Sequence, residues 1–382
     1  MGILIACVIN VVQTSRTSAI RGIYSGIVAT STVRRNPVQQ RYLEKAGRQT
    51  QLVRLSGILF FGTIVAVEKR VKSLVDDSFK HDPIRYLVFD LSQVDGVDNS
   101  ANEAFGRMVR MLKDRAVLLC LCGISINGKV GRTLDTGGIL SEGVEYFETL
   151  NSALEFCENE LLKTLYEQQE AAKDEETESA PTYVDVPSAR TDRLRAPDFN
   201  AIFGSPRRDH LHHIATTTLA ELSPPHSSHG VESYPQPLQT MLEVFRHVSS
   251  QSPSFWSKAA SFFTEKNYPA GTILYRPGER PSALYIVTSG ILKADYDLEQ
   301  GNYIETIVEG TTCGELPFFS DTARTSTTSV ERNSTCWILT REKWETLEEE
   351  HAEVAKELLR VALALTRERM DNNIKHFLLQ RG

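Results

Sequence analysis

The chain of 382 residues has little cysteine, no CxxC pair and no apolar run long enough to cross a bilayer. Six cysteines in this length are too few for the disulfide framework of small secreted domains. Positive charge is also short: Lys+Arg is 42 against Asp+Glu 49, a formal net charge of -7. A dedicated nucleic-acid binder carries a strongly basic domain or stripe, so nucleic acid is not an expected partner. Hydrophobic content of 41% supports ordinary cores and is too low for a chain dominated by membrane spans. Catalytic signatures are missing as well: there is no GxSxG, HExxH or Walker loop. Cys120 and Cys122 alternate onto one face of an apolar run, as packing residues do. No enzymatic activity is expected. On its averages the chain is soluble, intracellular and built of two to three domains, at roughly 150 residues each.

What is present is unevenly distributed. Ile3 to Val12 (ILIACVINVV) is apolar over about half the length of a membrane helix, which needs about 20 residues. From Thr14 to Arg54 the basic residues Arg16, Arg21, Arg34, Arg35, Arg41, Lys45, Arg48 and Arg54 face a single acid, Glu44. A basic cluster directly after an apolar helix is the cytoplasmic side of the positive-inside rule, and it would meet an anionic leaflet favourably. Residues 1–48 are therefore expected to form a membrane-proximal basic leader, the end of a truncated transmembrane helix. A solvated basic arm is the alternative.

Residues 49–166 read as one α/β unit. Gln51 to Phe61 is β-rich and split by Gly57, which predicts two short strands and a turn. Thr63 to Val75 has helical spacing, and Arg85 to Leu91 (RYLVFDL) suits a buried central strand. Asp98-Asn99-Ser100 offers side-chain oxygens to cap a helix over 101–112. A second buried strand (116–122), a glycine-marked helix, a short strand near Tyr146-Phe147 and a helix from Asn151 to about Tyr166 follow. This order predicts a central sheet covered by helices.

The segment FDLSQVDGVDNSANEAF, Phe89 to Phe105, resembles the signature of the STAS domain, shared by anti-sigma-factor antagonists and sulfate-permease-type (SulP) anion transporters. The family's "DSSG"-like helix start stands here as Asp98-Asn99-Ser100-Ala101, without the glycine and the first serine. In the antagonist branch the second serine is phosphorylated, which the resemblance carries to Ser100. A phosphate there would sit at a helix N-terminus, where negative charge is tolerated. A plain helix cap is the competing reading. The basic leader and its continuation into the α/β unit resemble the connection from the last membrane helix to the STAS domain in fungal SulP-like proteins, over residues 2–166.

Residues 167–238 read as a disordered linker. Acids crowd the approach to it and its first residues, from Glu158 to Glu178, and Ser, Thr, Pro, Arg and His dominate from 179 to 237 without sustained periodicity. Such composition buries too little apolar surface to offset its ordering entropy. Ser205-Pro206 and Ser223-Pro224 are weak phosphorylation signals. His210, His212 and His213 invite a metal reading, but without a partner ligand they are read as solvated, and no metal site is expected.

Residues 239–382 carry the most specific chemistry. Two short helices over 240–256 and 257–265 precede strands at 270–275, 283–287, 291–296, 303–308, 326–331 and 336–339, punctuated by glycine turns. This predicts a compact barrel or roll. A helix over about 341–375 follows, with Leu347, Val354, Leu358, Val361 and Leu365 on one side. GTILYRPGERPSALYIVTSGILKAD and VEGTTCGELPFFSDTARTSTTSV resemble a cyclic-nucleotide-binding domain over roughly 240–370, the second segment matching its phosphate-binding cassette: Gly314-Glu315-Leu316, then Arg324-Thr325-Ser326. The resemblance implies that Arg324 pairs with a cyclic phosphate and that Glu315 accepts from the ribose 2′-hydroxyl. Guanidinium offers a fork of donors matched to phosphate oxygens. Pro317 stands where the family usually has alanine and removes one backbone donor. Cyclic AMP or cyclic GMP is the implied ligand. The alternative is a retained fold with an empty pocket, Glu315 and Arg324 pairing with each other.

The leading expectation is the cytosolic part of a fungal SulP-like sulfate or anion transporter, its STAS and nucleotide-type domains regulating transport or assembly at a membrane of vacuolar type. Implied partners are a membrane portion outside this chain, a second copy of the chain and a cyclic nucleotide. A freestanding signalling protein is the alternative, as is a scaffold with a dead pocket. Ligand entry between Glu315 and Arg324 is expected to draw the last helix over the pocket.

Overall fold

The computed structural model describes residues 18–78, 83–140, 143–178, 206–222, 234–299 and 301–381. The chain divides into two compact units, and the division is not a single cut. One unit takes residues 1–29 and 42–221; the other takes 30–41 and 222–382.

The chain begins with β1 (Ile20–Ser25), β2 (Val33–Arg34) and α1 (Pro37–Ala46). The first unit continues through β3 (Thr50–Leu59), α2 (Phe61–Ser78), β4 (Tyr86–Val97), α3 (Asn99–Asp114), β5 (Leu118–Cys122), α4 (Lys129–Thr136), β6 (Val144–Phe147), α5 (Leu150–Glu178) and α6 (Pro206–Leu222). Its five strands lie in the order β1-β3-β4-β5-β6, with only β1 antiparallel to its neighbour. Parallel strands require crossover connections, and the intervening helices supply them. Residues of β4 on one face, among them Leu87 and Phe89, pack with Phe105, Met108 and Leu112 of α3, the Phe89 and Phe105 rings meeting edge to face at 6.0 Å. On α5, Ala153, Leu154, Cys157, Leu161 and Leu165 recur at helical spacing and are all buried.

The α/β expectation holds, with three differences in detail. β3 is one strand, not two: Gly57 sits at a positive φ of 73° and absorbs a register shift within the ladder. β4 runs on to Val97, beyond the apolar run. The basic leader contributes β1, which pairs with Gln51 to Leu55 of β3 through a register shift between Ile20 and Gly22. Ile3 to Val12 lies outside the described residues. Among the described residues no helix is long and apolar enough to cross a membrane.

The stretch read as a linker contains described helices: α5 continues to Glu178, and α6 buries Leu211, Ile214, Ala215 and Thr218. His212 is tied down there, its Nδ1 2.8 Å from the Gln168 amide, and among the described residues no cluster could hold a metal ion. Both serines of the Ser-Pro steps, Ser205 and Ser223, lie outside the described residues.

The second unit holds α7 (Leu238–Phe245), α8 (Pro253–Ala260), β7 (Thr264–Tyr268), β8 (Ile273–Tyr275), β9 (Ala283–Leu298), β10 (Gly301–Val308), β11 (Thr311–Cys313), α9 (Glu315–Ser320), β12 (Thr327–Thr340), α10 (Arg341–Glu350) and α11 (Ala352–Arg381). Its strands form a roll in the order β2-β10-β9-β12-β7, with β11 on β9 and β8 on β12. Sequence breaks at 289–290 and 332–335 turn out to be bends inside two long strands. Gly290 adopts φ 91° there, and a Cβ would lie 2.3 Å from the Asn333 carbonyl, so the close crossing requires glycine. The end of the second expected helix, 264–265, instead opens strand β7, which pairs with β12. The expected C-terminal helix is two helices broken at His351. A barrel core of Tyr285, Val287, Leu292, Ile307 and Val330 is separate from a helical core of Phe245, Trp256, Phe318, Trp344, Leu347, Val354, Leu358 and Val361.

Candidate functional site: a filled binding cassette

In the second unit β11 delivers the chain to Gly314, which adopts φ 80° and starts α9. A Cβ at this position would meet the Arg324 guanidinium at 2.4 Å, so glycine is required both by φ and by space. Glu315 and Arg324 are each only 2% exposed. They lie in one cassette but are not each other's partners, so the ion pair of the alternative reading does not form. Arg324 donates through Nη1 to the Gly314 carbonyl at 2.7 Å and through Nη2 to the Ala283 carbonyl at 2.5 Å. Its guanidinium carbon stacks 4.1 Å from the centre of the Tyr275 ring. Only Nε is buried without a hydrogen-bond partner.

Glu315 meets two other arginines. Arg369, from α11, donates to its Oε1, and Arg34, from β2, lies 3.7 Å from the same oxygen. Oε2 is buried and accepts no hydrogen bond. Burial alone would raise this carboxyl, but the guanidinium charges of Arg369 and then Arg34 outweigh it and hold it below the ordinary carboxylate range. Arg34 is in turn forked onto a second buried acid: Nε and Nη2 reach the two oxygens of Glu305 at 3.0 and 2.6 Å, and Nη1 donates to the Thr312 carbonyl. Burial would lower the Arg34 guanidinium, but Glu305 and Glu315 raise it well above its ordinary value, so it stays charged.

The remaining predicted cassette residues divide by exposure. Leu316 is 52% exposed and Thr325 is exposed, so both line the outside, while Ser326 is buried with its hydroxyl 3.5 Å from that of Thr328. Arg34, Glu305 and Arg369 were not foreseen. Glu305 had a readable signal, because it shares the inward face of β10 with Ile307 and a buried acid needs a partner. Arg34 had none: its partner lies 271 residues away.

The second candidate site is the start of α3. Asp98, not Ser100, is the cap: its Oδ1 accepts from the Ala101 amide at 2.7 Å. Ser100 follows inside the first turn, partly buried. Its neighbour Asn99 lines an open cleft of 530 Å³ with Asn102, Lys129, Arg132, Thr133, Thr136 and Gly137. The motif aspartate Asp90 is structural. It is buried, accepts from Arg54 at 3.0 Å and from the Ser92 amide at 3.0 Å, and packs under Gly123. Cys120 and Cys157 lie buried with sulfurs 4.0 Å apart, both as free thiols.

The comparisons agree with this division. Residues 42–153 match the STAS domain family, and residues 265–351 match the family described as cyclic nucleotide-binding domain. The vacuolar basic amino acid transporter VSB1 of Saccharomyces cerevisiae is 26% identical over 390 residues, covering 92% of this chain. The chain spans 37% of that relative's length. A cyclic nucleotide-binding domain from Methylobacillus flagellatus is 16% identical over 37% of this chain and 83% of its own, with a TM-score of 0.36. The catabolite activator protein of Thermus thermophilus is 21% identical over 34% of this chain and 61% of its own, with a TM-score of 0.30.

Proposed function

We propose that this chain, a STAS domain followed by a domain of cyclic-nucleotide-binding fold and similar along nearly its whole length to part of a transporter, is the cytosolic regulatory region of a SulP-type membrane transporter, without catalytic activity of its own. The single observation behind this reading is that the similarity to the yeast transporter runs through both domains over 92% of the chain and takes up only 37% of the relative. In this role the STAS domain serves assembly or regulation, and the second domain receives the signal.

The transported solute would be chosen by membrane segments outside these residues. The STAS resemblance points to sulfate or another anion, whereas the relative's name points to basic amino acids. The relative also points to a vacuolar membrane. Two measurements test the proposal. Transcript mapping should find hydrophobic helices encoded in frame upstream of Met1; an in-frame stop directly before Met1, in a transcript that starts there, defeats the transporter reading. Vacuoles from overexpressing cells should then accumulate labelled arginine or labelled sulfate above control, and the one that accumulates names the solute class.

Cyclic AMP or cyclic GMP is the ligand that the domain family implies for the second domain. Either would need a free Glu315 for the ribose and a free Arg324 for the phosphate. Both groups already have partners within the unit.

A further inference from the structure

The edge of the roll is closed by a strand from the far end of the chain. β2 pairs in parallel with β10, Val33 opposite Thr306 and Arg34 opposite Ile307. An exposed strand edge is a template for an added strand, and backbone pairing of this kind gives affinity while side-chain pockets give specificity. Here the side chain that enters is a guanidinium, and the pocket that receives it is built of two buried acids and a carbonyl.

Three nitrogens of Arg34 are engaged: two by Glu305, the third by the Thr312 carbonyl, with Glu315 3.7 Å away. The Arg34 side chain is 12% exposed and the two carboxylates are 3% and 2% exposed. A planar fork over a carboxylate is specific for arginine, since an ammonium cannot supply two parallel donors from fixed positions. The segment is anchored on both sides of Arg34. On one side His376 Nδ1 of α11 lies 3.2 Å from the Thr30 carbonyl; on the other the segment turns directly into α1, whose first turn is closed by the Asn36 carboxamide accepting from the Gln39 amide. Arg369 approaches Glu315 from α11, so the last helix already lies against the cassette while the strand is in place. The unpaired Glu315 Oε2 remains as an acceptor in the same pocket.

We infer that this cassette is a receptor for a guanidinium carried on an extended strand, with Arg34 of the segment Thr30–Arg41 as its resident ligand in place of a cyclic nucleotide. The strand sets a guanidinium beside the carboxylate that a ribose would need, Arg369 of the last helix donates to that carboxylate, and Thr30 of the same segment meets that helix through His376. This inference rests on the regulatory reading only for what the docking controls. The docking itself concerns the 382-residue chain alone and is tested without any transport measurement.

The test is guanidinium rescue. Arg34→Ala should lower the melting midpoint of the second unit by about 5–15 °C, the size expected when a buried acid loses its partner. Millimolar methylguanidinium should restore it saturably, tetramethylammonium at equal ionic strength should not, and the rescue should vanish when Glu305→Gln is added. Arg34→Lys should recover only part of the loss. Calorimetry of the unmodified chain with millimolar cyclic AMP or cyclic GMP should give no saturable heat. A wild-type midpoint in Arg34→Ala, equal rescue by both cations, or saturable nucleotide binding to the unmodified chain overturns the inference. Should Arg34→Ala fail to fold, phenylglyoxal labelling read by mass spectrometry decides on the unmodified chain. Arg34 should be protected until the chain is denatured, and ready native-state labelling overturns the proposal.

Discussion

Ser100 and Arg324 both stand where these domain families receive an anion, yet their surroundings differ in kind. At the start of α3 the backbone donor is satisfied by Asp98, and the side chain of Ser100 is left partly exposed beside an open cleft containing Lys129 and Arg132. In the cassette, two of three Arg324 nitrogens and one Glu315 oxygen are engaged by groups of the same unit, and the cluster is buried. An open helix start can gain a phosphate at little structural cost. A filled cassette can gain a ligand only by losing a resident one. The first site is open at its mouth and the second is occupied by groups of its own unit.

The largest effect that would break this contrast is loss of Glu305. Glu305→Ala leaves Arg34 buried beside Glu315 alone, and removing one member of a buried pair costs about 3–5 kcal/mol. Scanning calorimetry of the whole chain should show two transitions, as multidomain chains do, with only the one belonging to the second unit displaced. Asp90→Ala is the matched variant in the first unit. It removes the buried carboxylate to which Arg54 donates at 3.0 Å and should displace only the other transition. Equal displacement of both transitions by either variant would show that the units do not melt separately.

Acid should act on the same cluster. The Glu315 carboxyl is held below its ordinary value in the folded chain, so its contribution is fully present above the ordinary carboxylate range near 4 and is lost as pH falls through the lower folded value. Circular dichroism melts taken from pH 6 down to pH 2 should show the second unit losing stability across that window, and Glu315→Gln should flatten the part of the slope that Glu315 supplies. An unchanged slope in the variant would mean that other carboxylates carry the acid sensitivity.

These effects also mark what could be read in the chain beforehand. Strand alternation, the positive-φ glycines and the Glu315–Arg324 spacing are local or repeat within a few tens of residues, and both domain folds follow from them. The cap at Asp98 was readable within one residue. The partners of the cassette were not, because Arg34 and Glu305 become neighbours only after the roll closes, and a basic leader reads equally well as a membrane-facing cluster. In the structure Arg34 of that leader and Arg54 just beyond it are directed inward onto Glu305 and Asp90. A charge count along a chain records sign but not direction. Long strands such as β9 and β12 were split in the sequence because a glycine bend and a chain break look alike until the partner strand is known.

The smaller effects belong to the open site. Asp98→Ala removes the cap of α3 and should lower the stability of the first unit by about 1 kcal/mol, read as a shift of its transition alone. Ser100→Asp is smaller still and is the sharper test. An acid in the first turn of a helix gains about 0.3–1 kcal/mol from the dipole, and the neighbouring Asp98 carboxylate opposes part of that gain. The net change in stability should therefore stay within about 0.5 kcal/mol, while the charge at the mouth of the Lys129–Arg132 cleft changes by a full unit. A chemical-shift map of the labelled chain should then place the perturbation on Asn99, Lys129 and Arg132, with the cassette residues unmoved. A loss of more than about 2 kcal/mol would assign Ser100 to the core of the first unit and close the open site that the contrast requires.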